Sequence, residues 1–142
     1  MAKEQKSGRC LCGAVTFTVD ELRSGMGACH CDMCRRWSSG PFMAVDCEKE
    51  VHFEGEENIG RYRSSDWAER GFCKTCGTNL FYRIVESGQY IMSVGAFDDQ
   101  DYFKLKSQIF IDEKPGFYDF ANETRMMTGE EVFALYSGDN ND

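Results

Sequence analysis

Seven of this chain's eight cysteines fall into three tight clusters, and that spacing constrains it more than any other feature. They are Cys10-x-Cys12, Cys29-x-Cys31-x2-Cys34 and Cys73-x2-Cys76, with Cys47 alone. The first residues, MAKEQKSGR, contain no apolar stretch of the kind that directs export. A cytoplasmic location is therefore expected, and cysteines spaced this way read there as metal ligands in preference to disulfides.

The segment Cys29 to Arg36, CHCDMCRR, is the densest. If it enters as a strand, Cys29 and Cys31 point to one face and His30 to the other. A turn after Cys31 then returns Cys34 to the same point. Three thiolates converge on one soft cation, for which zinc is the expected choice. Three protein ligands leave a fourth position open, the arrangement of a catalytic zinc. Cys73-x2-Cys76-Gly77 has knuckle spacing, with a glycine to relieve the turn. Cys10-x-Cys12-Gly13 is its natural complement, although spacing alone does not fix that pairing. Together they make a closed, structural four-cysteine site. Such a site contributes about 10–16 kcal/mol of apparent binding free energy, against a net domain stability of about 5–15 kcal/mol. Cys47 reads as a small buried hydrophobe. Its rival role is to close the second site, through Cys31-x2-Cys34-x12-Cys47.

A length of 142 residues suits one domain. A net charge of −8 argues against nucleic acid and against an anionic membrane surface as partners. No apolar run approaches the roughly 18 residues of a membrane span. The expected organisation is a single zinc-binding domain over residues 8–137, with a flexible N-terminus (1–7) and a flexible tail (138–142). Val15, Phe17 and Val19 alternate with smaller residues, a period-two strand. Asp20 to Gly27 reads as a loop. Asp32 to Ser38 reads as one or two helical turns. Short strands are expected at Phe42–Cys47, Val51–Phe53, Ile59–Arg63, Asn79–Ile84, Tyr90–Val94 and Gln108–Ile111. Phe117, Tyr118 and Phe120 form an aromatic cluster suited to core or pocket wall. Thr128, with Glu131 three residues on, has capping-box spacing before a short helix. The fold expected is mainly β with one or two short helices.

Three stretches, SGRCLCGAVTF, CHCDMCRRWSSGPF and RGFCKTCGTNLFY, resemble the glutathione-dependent formaldehyde-activating enzyme family. Centromere protein V is similar in its domain. The resemblance runs from about Gly8 to about Met127. It implies a small zinc-organised β fold of the β-tent type, with a structural zinc on Cys10, Cys12, Cys73 and Cys76. It implies a second, catalytic zinc on Cys29, Cys31 and Cys34, with room for a substrate thiol.

The chemistry agrees with the residues independently. A free thiol is mostly protonated at neutral pH, and zinc coordination deprotonates it. A zinc held by three thiolates carries −1, and a fourth thiolate makes −2. Arg35 or Arg36 is expected to offset that charge. The thiolate can then add to an aldehyde carbon, or the reverse step can cleave a carbon–sulfur bond. The expected function is a carbon–sulfur lyase resembling S-hydroxymethylglutathione synthase, with partners a small thiol such as glutathione and a small aldehyde. Trp37, Ser38, Ser39, Gly40 and Phe97 are the candidate pocket wall. His30 is expected in a structural or solvent role, with acid–base work as the alternative, and His52 half-exposed in a strand. A second function class stays open: a non-enzymatic zinc-stabilised binding module with both sites structural. A redox role for Cys31-x2-Cys34 is disfavoured, because no βαβ pattern surrounds it.

Overall fold

The structure is a computed structural model and describes residues 3–48 and 50–139, with side chains described as far as Leu135. In chain order the elements are β1 (Glu4–Arg9), β2 (Thr16–Leu22), β3 (Gly25–Cys29), α1 (Asp32–Ser38), β4 (Phe42–Cys47), β5 (Val51–Glu54), β6 (Ile59–Arg63), β7 (Ala68–Cys73), β8 (Asn79–Ile84), β9 (Tyr90–Ser93), β10 (Lys104–Ile109), β11 (Arg125–Met127) and α2 (Gly129–Asp139). The fold is mainly β, as expected. Two compact units divide the chain. Of the described residues, one holds those from 3 to 25 and from 44 to 104, the other those from 26 to 43 and from 105 to 139. No helix among the described residues is long and apolar enough to cross a membrane.

In the first unit, β1, β2 and β5 make a three-stranded antiparallel sheet. The alternation read from the sequence is visible in burial, for Val15, Phe17 and Val19 all point inward. A second antiparallel run has the order β4-β9-β8-β7-β6. Phe81 and Met92 face each other across β8 and β9, and both are fully buried. Phe81 stacks edge-on to Tyr90 at 4.8 Å. On β7, Gly71 lies opposite Phe81, and a Cβ there would overlap the Phe81 ring. The phenyl ring therefore requires a glycine as its neighbour.

In the second unit the strand order is β11-β10-β3, with β10 and β11 parallel. Capping at α2 follows the expected pattern. Thr128 Oγ1 accepts from the Glu131 N–H at 3.2 Å, and a Glu131 carboxylate oxygen accepts from the Thr128 N–H at 2.8 Å.

Several expectations are corrected. Residues 4–7 are not loose, because they pair with β2. Asp20 to Gly27 is not one loop, since β2 runs on to Leu22 and β3 starts at Gly25. Gly27 serves close strand approach and not a turn, as a Cβ there would come within 2.8 Å of Ser107 Oγ on β10. The short strand expected at Gln108 instead spans Lys104–Ile109, and Phe110 leaves it in a left-handed conformation (φ 55°). Of the expected tail, Gly138 and Asp139 belong to α2, and residues 140–142 lie outside the described residues.

Candidate metal and thiol site

The first unit brings Cys10, Cys12, Cys73 and Cys76 together, all four sulfurs within 4.8 Å of one another. Cys10 follows β1 and Cys73 ends β7, so the cluster ties two distant chain segments. Gly13 and Gly77 turn the chain after each pair at φ 83° and 81°, a region that disfavours side chains. The Cys10–Cys12 and Cys12–Cys73 sulfurs are 3.7 and 3.8 Å apart. Four sulfurs about 2.3 Å from a central zinc have tetrahedral edges of about 3.8 Å. The residues present therefore fit a closed four-sulfur metal site. Backbone N–H groups point at the sulfurs, from Val15 to Cys10 at 3.3 Å and from Cys76 to Cys73 at 3.4 Å. Thr78 joins the two turns, its hydroxyl accepting from the Leu11 N–H at 3.0 Å and lying 3.2 Å from the Cys76 sulfur. That hydroxyl is the main cause that lowers the Cys76 thiol to about 5.

The second unit brings Cys29, Cys31 and Cys34 together, again with all sulfurs within 4.8 Å of one another. Cys29 ends β3, Cys31 caps α1, and Cys34 is buried one turn into it. The Cys31 sulfur accepts from the Cys34 N–H at 3.4 Å, the same contact that Cys73 makes with Cys76. The neighbouring Cys31 and Cys34 sulfurs, and then burial, push the Cys29 thiol strongly up. Three crowded sulfurs of this kind ionise together only if a cation neutralises them. This donor set fits a soft metal ion held by three sulfurs. Cys47 belongs to neither cluster. It is buried and its thiol is raised to about 12, chiefly by desolvation.

The arginines separate by direction. Arg35 turns inward, and its Nε donates to the His30 carbonyl at 2.8 Å. Arg36 lies on the outer surface of α1 and pairs with Asp32 at 2.9 Å. Trp37 packs on Phe42 at 5.3 Å. Ser39 closes α1 at φ 64°, its N–H donating to the Arg35 carbonyl at 2.8 Å. Gly40 has open space around it. Phe97 lies in the core of the first unit, edge-on to Phe17 at 5.0 Å and Phe103 at 5.1 Å.

His30 is fully buried, with its ring nitrogens on Tyr118 Oη at 2.7 Å and Gln108 Oε1 at 2.8 Å. His52 is exposed on β5, 3.3 Å from Asp20. Gln108, Tyr118 and Lys114 surround the cysteine triplet's histidine, and Glu113 Oε1 caps α1 by accepting from the Asp32 N–H at 2.8 Å. The aromatic cluster gave a sequence signal for Tyr118. Gln108 was legible only as the start of a strand, and nothing in the sequence set it, Glu113 or Lys114 beside the triplet until β10 is placed beside β3.

Three comparisons bear on identity. The family described as "Glutathione-dependent formaldehyde-activating enzyme" matches over residues 5–113. An uncharacterized lyase of Schizosaccharomyces pombe is 40% identical over 126 residues, 88% of this chain and 92% of the relative. A crystal structure of a Rhodobacter sphaeroides protein superposes with a TM-score of 0.57 at 27% identity, over 70% of this chain and 96% of the other.

Proposed function

We propose, for a chain that belongs to the glutathione-dependent formaldehyde-activating enzyme family, that it is a metal-dependent carbon–sulfur lyase joining a small thiol to a small aldehyde, or splitting their adduct. The observation that carries this reading is the unequal pair of clusters, one of four sulfurs and one of three. Four sulfurs complete a tetrahedral site, whereas three leave room for an exogenous ligand. The similarity to a protein named a lyase supports the reaction class.

In this reading Cys10, Cys12, Cys73 and Cys76 hold a structural zinc. Cys29, Cys31 and Cys34 hold a second. A zinc ion there supplies a soft Lewis acid that favours the thiolate form of a thiol at neutral pH. Arg35 is the better placed of the two arginines to offset the accumulated negative charge, because it is held inward on the His30 carbonyl. Trp37 to Gly40 border the thiol's approach at the end of α1, and glutathione is the thiol the family suggests. In the forward direction the sulfur–carbon bond forms, the carbonyl π bond breaks, and the thiol's proton ends on the new hydroxyl. The reverse direction returns that proton to sulfur.

The test is the rate of S-hydroxymethyl adduct formation from labelled formaldehyde and glutathione, followed by NMR. Acceleration by the native protein, lost in Cys34→Ser with circular dichroism unchanged, is expected. No acceleration in either direction, with both metal sites filled, favours a binding module whose two sites are structural.

A further inference from the structure

His30 separates the ligand candidates Cys29 and Cys31, and each of its polar groups is held within the second unit. Its N–H donates to the Ile109 carbonyl at 3.1 Å, and its carbonyl accepts from Arg35 Nε at 2.8 Å. Its ring spans Gln108 and Tyr118. We propose that His30 is the positioning residue of the three-cysteine centre, fixed in a single tautomer by a directed hydrogen-bond chain that runs through Thr124, Gln108, His30 and Tyr118.

The direction follows from donor chemistry. Gln108 Nε2 donates to Thr124 Oγ1 at 2.9 Å, since an amide nitrogen does not accept. This turns Gln108 Oε1 toward His30, 2.8 Å from Nε2. A carbonyl oxygen cannot donate, so Nε2 carries the hydrogen. The ring is fully buried and both of its nitrogens contact uncharged groups, so with the hydrogen on Nε2 the imidazole presents Nδ1 as its acceptor. The Tyr118 hydroxyl at 2.7 Å therefore donates to it. The Lys114 ammonium lies over the Tyr118 ring, 5.0 Å from its centroid. Lys114 also sets the loop that carries Tyr118. Its ammonium donates to the Pro115 carbonyl at 3.1 Å and pairs with Asp119 at 2.7 Å.

One residue thus fixes three functional groups. A change in its ring or backbone shifts the sulfurs on either side and the guanidinium that rests on its carbonyl. Partners one step removed from metal ligands, when mutated, typically cost about 10–100-fold in metal affinity. This proposal rests on the reading above only in taking the triplet to hold a metal.

The first measurement is the imidazole nitrogen spectrum of the folded, metal-loaded protein. A hydrogen on His30 Nε2, slow to exchange with solvent, and a bare Nδ1 are expected. A hydrogen on Nδ1 instead overturns the chain. The second measurement is cobalt(II) loss to a chelator from the three-cysteine centre, with the four-cysteine cluster filled. Tyr118→Phe and Gln108→Leu should lose cobalt roughly 10-fold faster or more, with shifted visible bands and unchanged release from the other cluster. Gln108→Glu should stay near native, because its carboxylate still accepts from Nε2. Thr124→Val, at the far end of the chain, guards against misfolding and should change retention in the same direction by a smaller factor. Retention within twofold of native in Tyr118→Phe, Gln108→Leu and Thr124→Val alike reduces these groups to core packing and overturns the positioning role. If native protein takes up one metal per chain, the lyase reading fails, and the tautomer measurement still decides the chain on its own.

Discussion

Cys47 and Cys34 are both buried thiols, yet their neighbours assign them opposite chemistry. Cys34 shares its surroundings with two other sulfurs, whereas Cys47 stands apart from both clusters and its thiol donates to the Val45 carbonyl at 3.8 Å. Burial raises the Cys47 thiol to about 12, so the native state keeps that proton while an unfolded thiol loses it near pH ~8.5. A raised acid favours the folded state below the unfolded pKa. That contribution fades as pH climbs from about 8.5 toward 12. Native protein treated with iodoacetamide at pH 8 should therefore leave Cys47 unmodified by mass spectrometry, and denaturant should expose it to full labelling. Rapid native labelling of Cys47 would contradict its assignment to the core. The two arginines show the limit of reading at this scale. Sequence places both beside the triplet, and only the α1 geometry seats Arg35 on the His30 carbonyl and leaves Arg36 outside, with Asp32 2.9 Å from Arg36 and 3.9 Å from Arg35.

Elements with strong local signals were legible. The triplet's strand-then-helix path, the knuckle glycines Gly13 and Gly77, and the Thr128–Glu131 capping box all depend on contacts within a few residues. Elements defined by distant pairing were not. β1 is polar and gains its order from β2, and β11 is three residues long and gains its order from β10. Gly25 and Gly27 mimic a turn in sequence, and the approach of Ser107 gives Gly27 its real meaning. Two predictions belong here. Thr128→Ala removes one side of the capping box and should cost about 1 kcal/mol by denaturant titration. Gly71→Ala places a methyl against the Phe81 ring and should cost about 1–3 kcal/mol, as overpacking does. A neutral Gly71→Ala variant would mean that β7 and β8 are less closely paired than described.

For the whole molecule, the two clusters differ in what they hold. The four-cysteine set joins residues more than 60 positions apart, with Cys12 and Cys73 in sulfur contact across a sequence separation of 61. The triplet spans a single strand–helix junction. A metal bound at the first set would be worth about as much as a domain's net stability. Cys73→Ser should accordingly lose cooperative folding by circular dichroism, whereas Cys34→Ser should keep it. Equal unfolding in both variants would make the triplet a second structural site. The four-cysteine grouping was legible because two glycine-followed pairs complement each other. The hydrogen-bonded surroundings of the triplet were not, because Gln108 and Tyr118 lie 78 and 88 residues from His30.

Calorimetry of glutathione binding tests most directly the proposal that the three-cysteine centre takes an exogenous thiol, run in buffers of different ionisation enthalpy beside the S-methylated thiol. Glutathione is mainly the protonated thiol at neutral pH, and a thiol that ligates a metal does so as the thiolate. Native protein with both metal sites filled is predicted to bind glutathione well above its S-methyl analogue and to release close to one proton per thiol. Cys34→Ser is predicted to lose that preference. Equal affinity for thiol and analogue, with no proton released by either, would contradict the account, because sulfur would then not reach the metal.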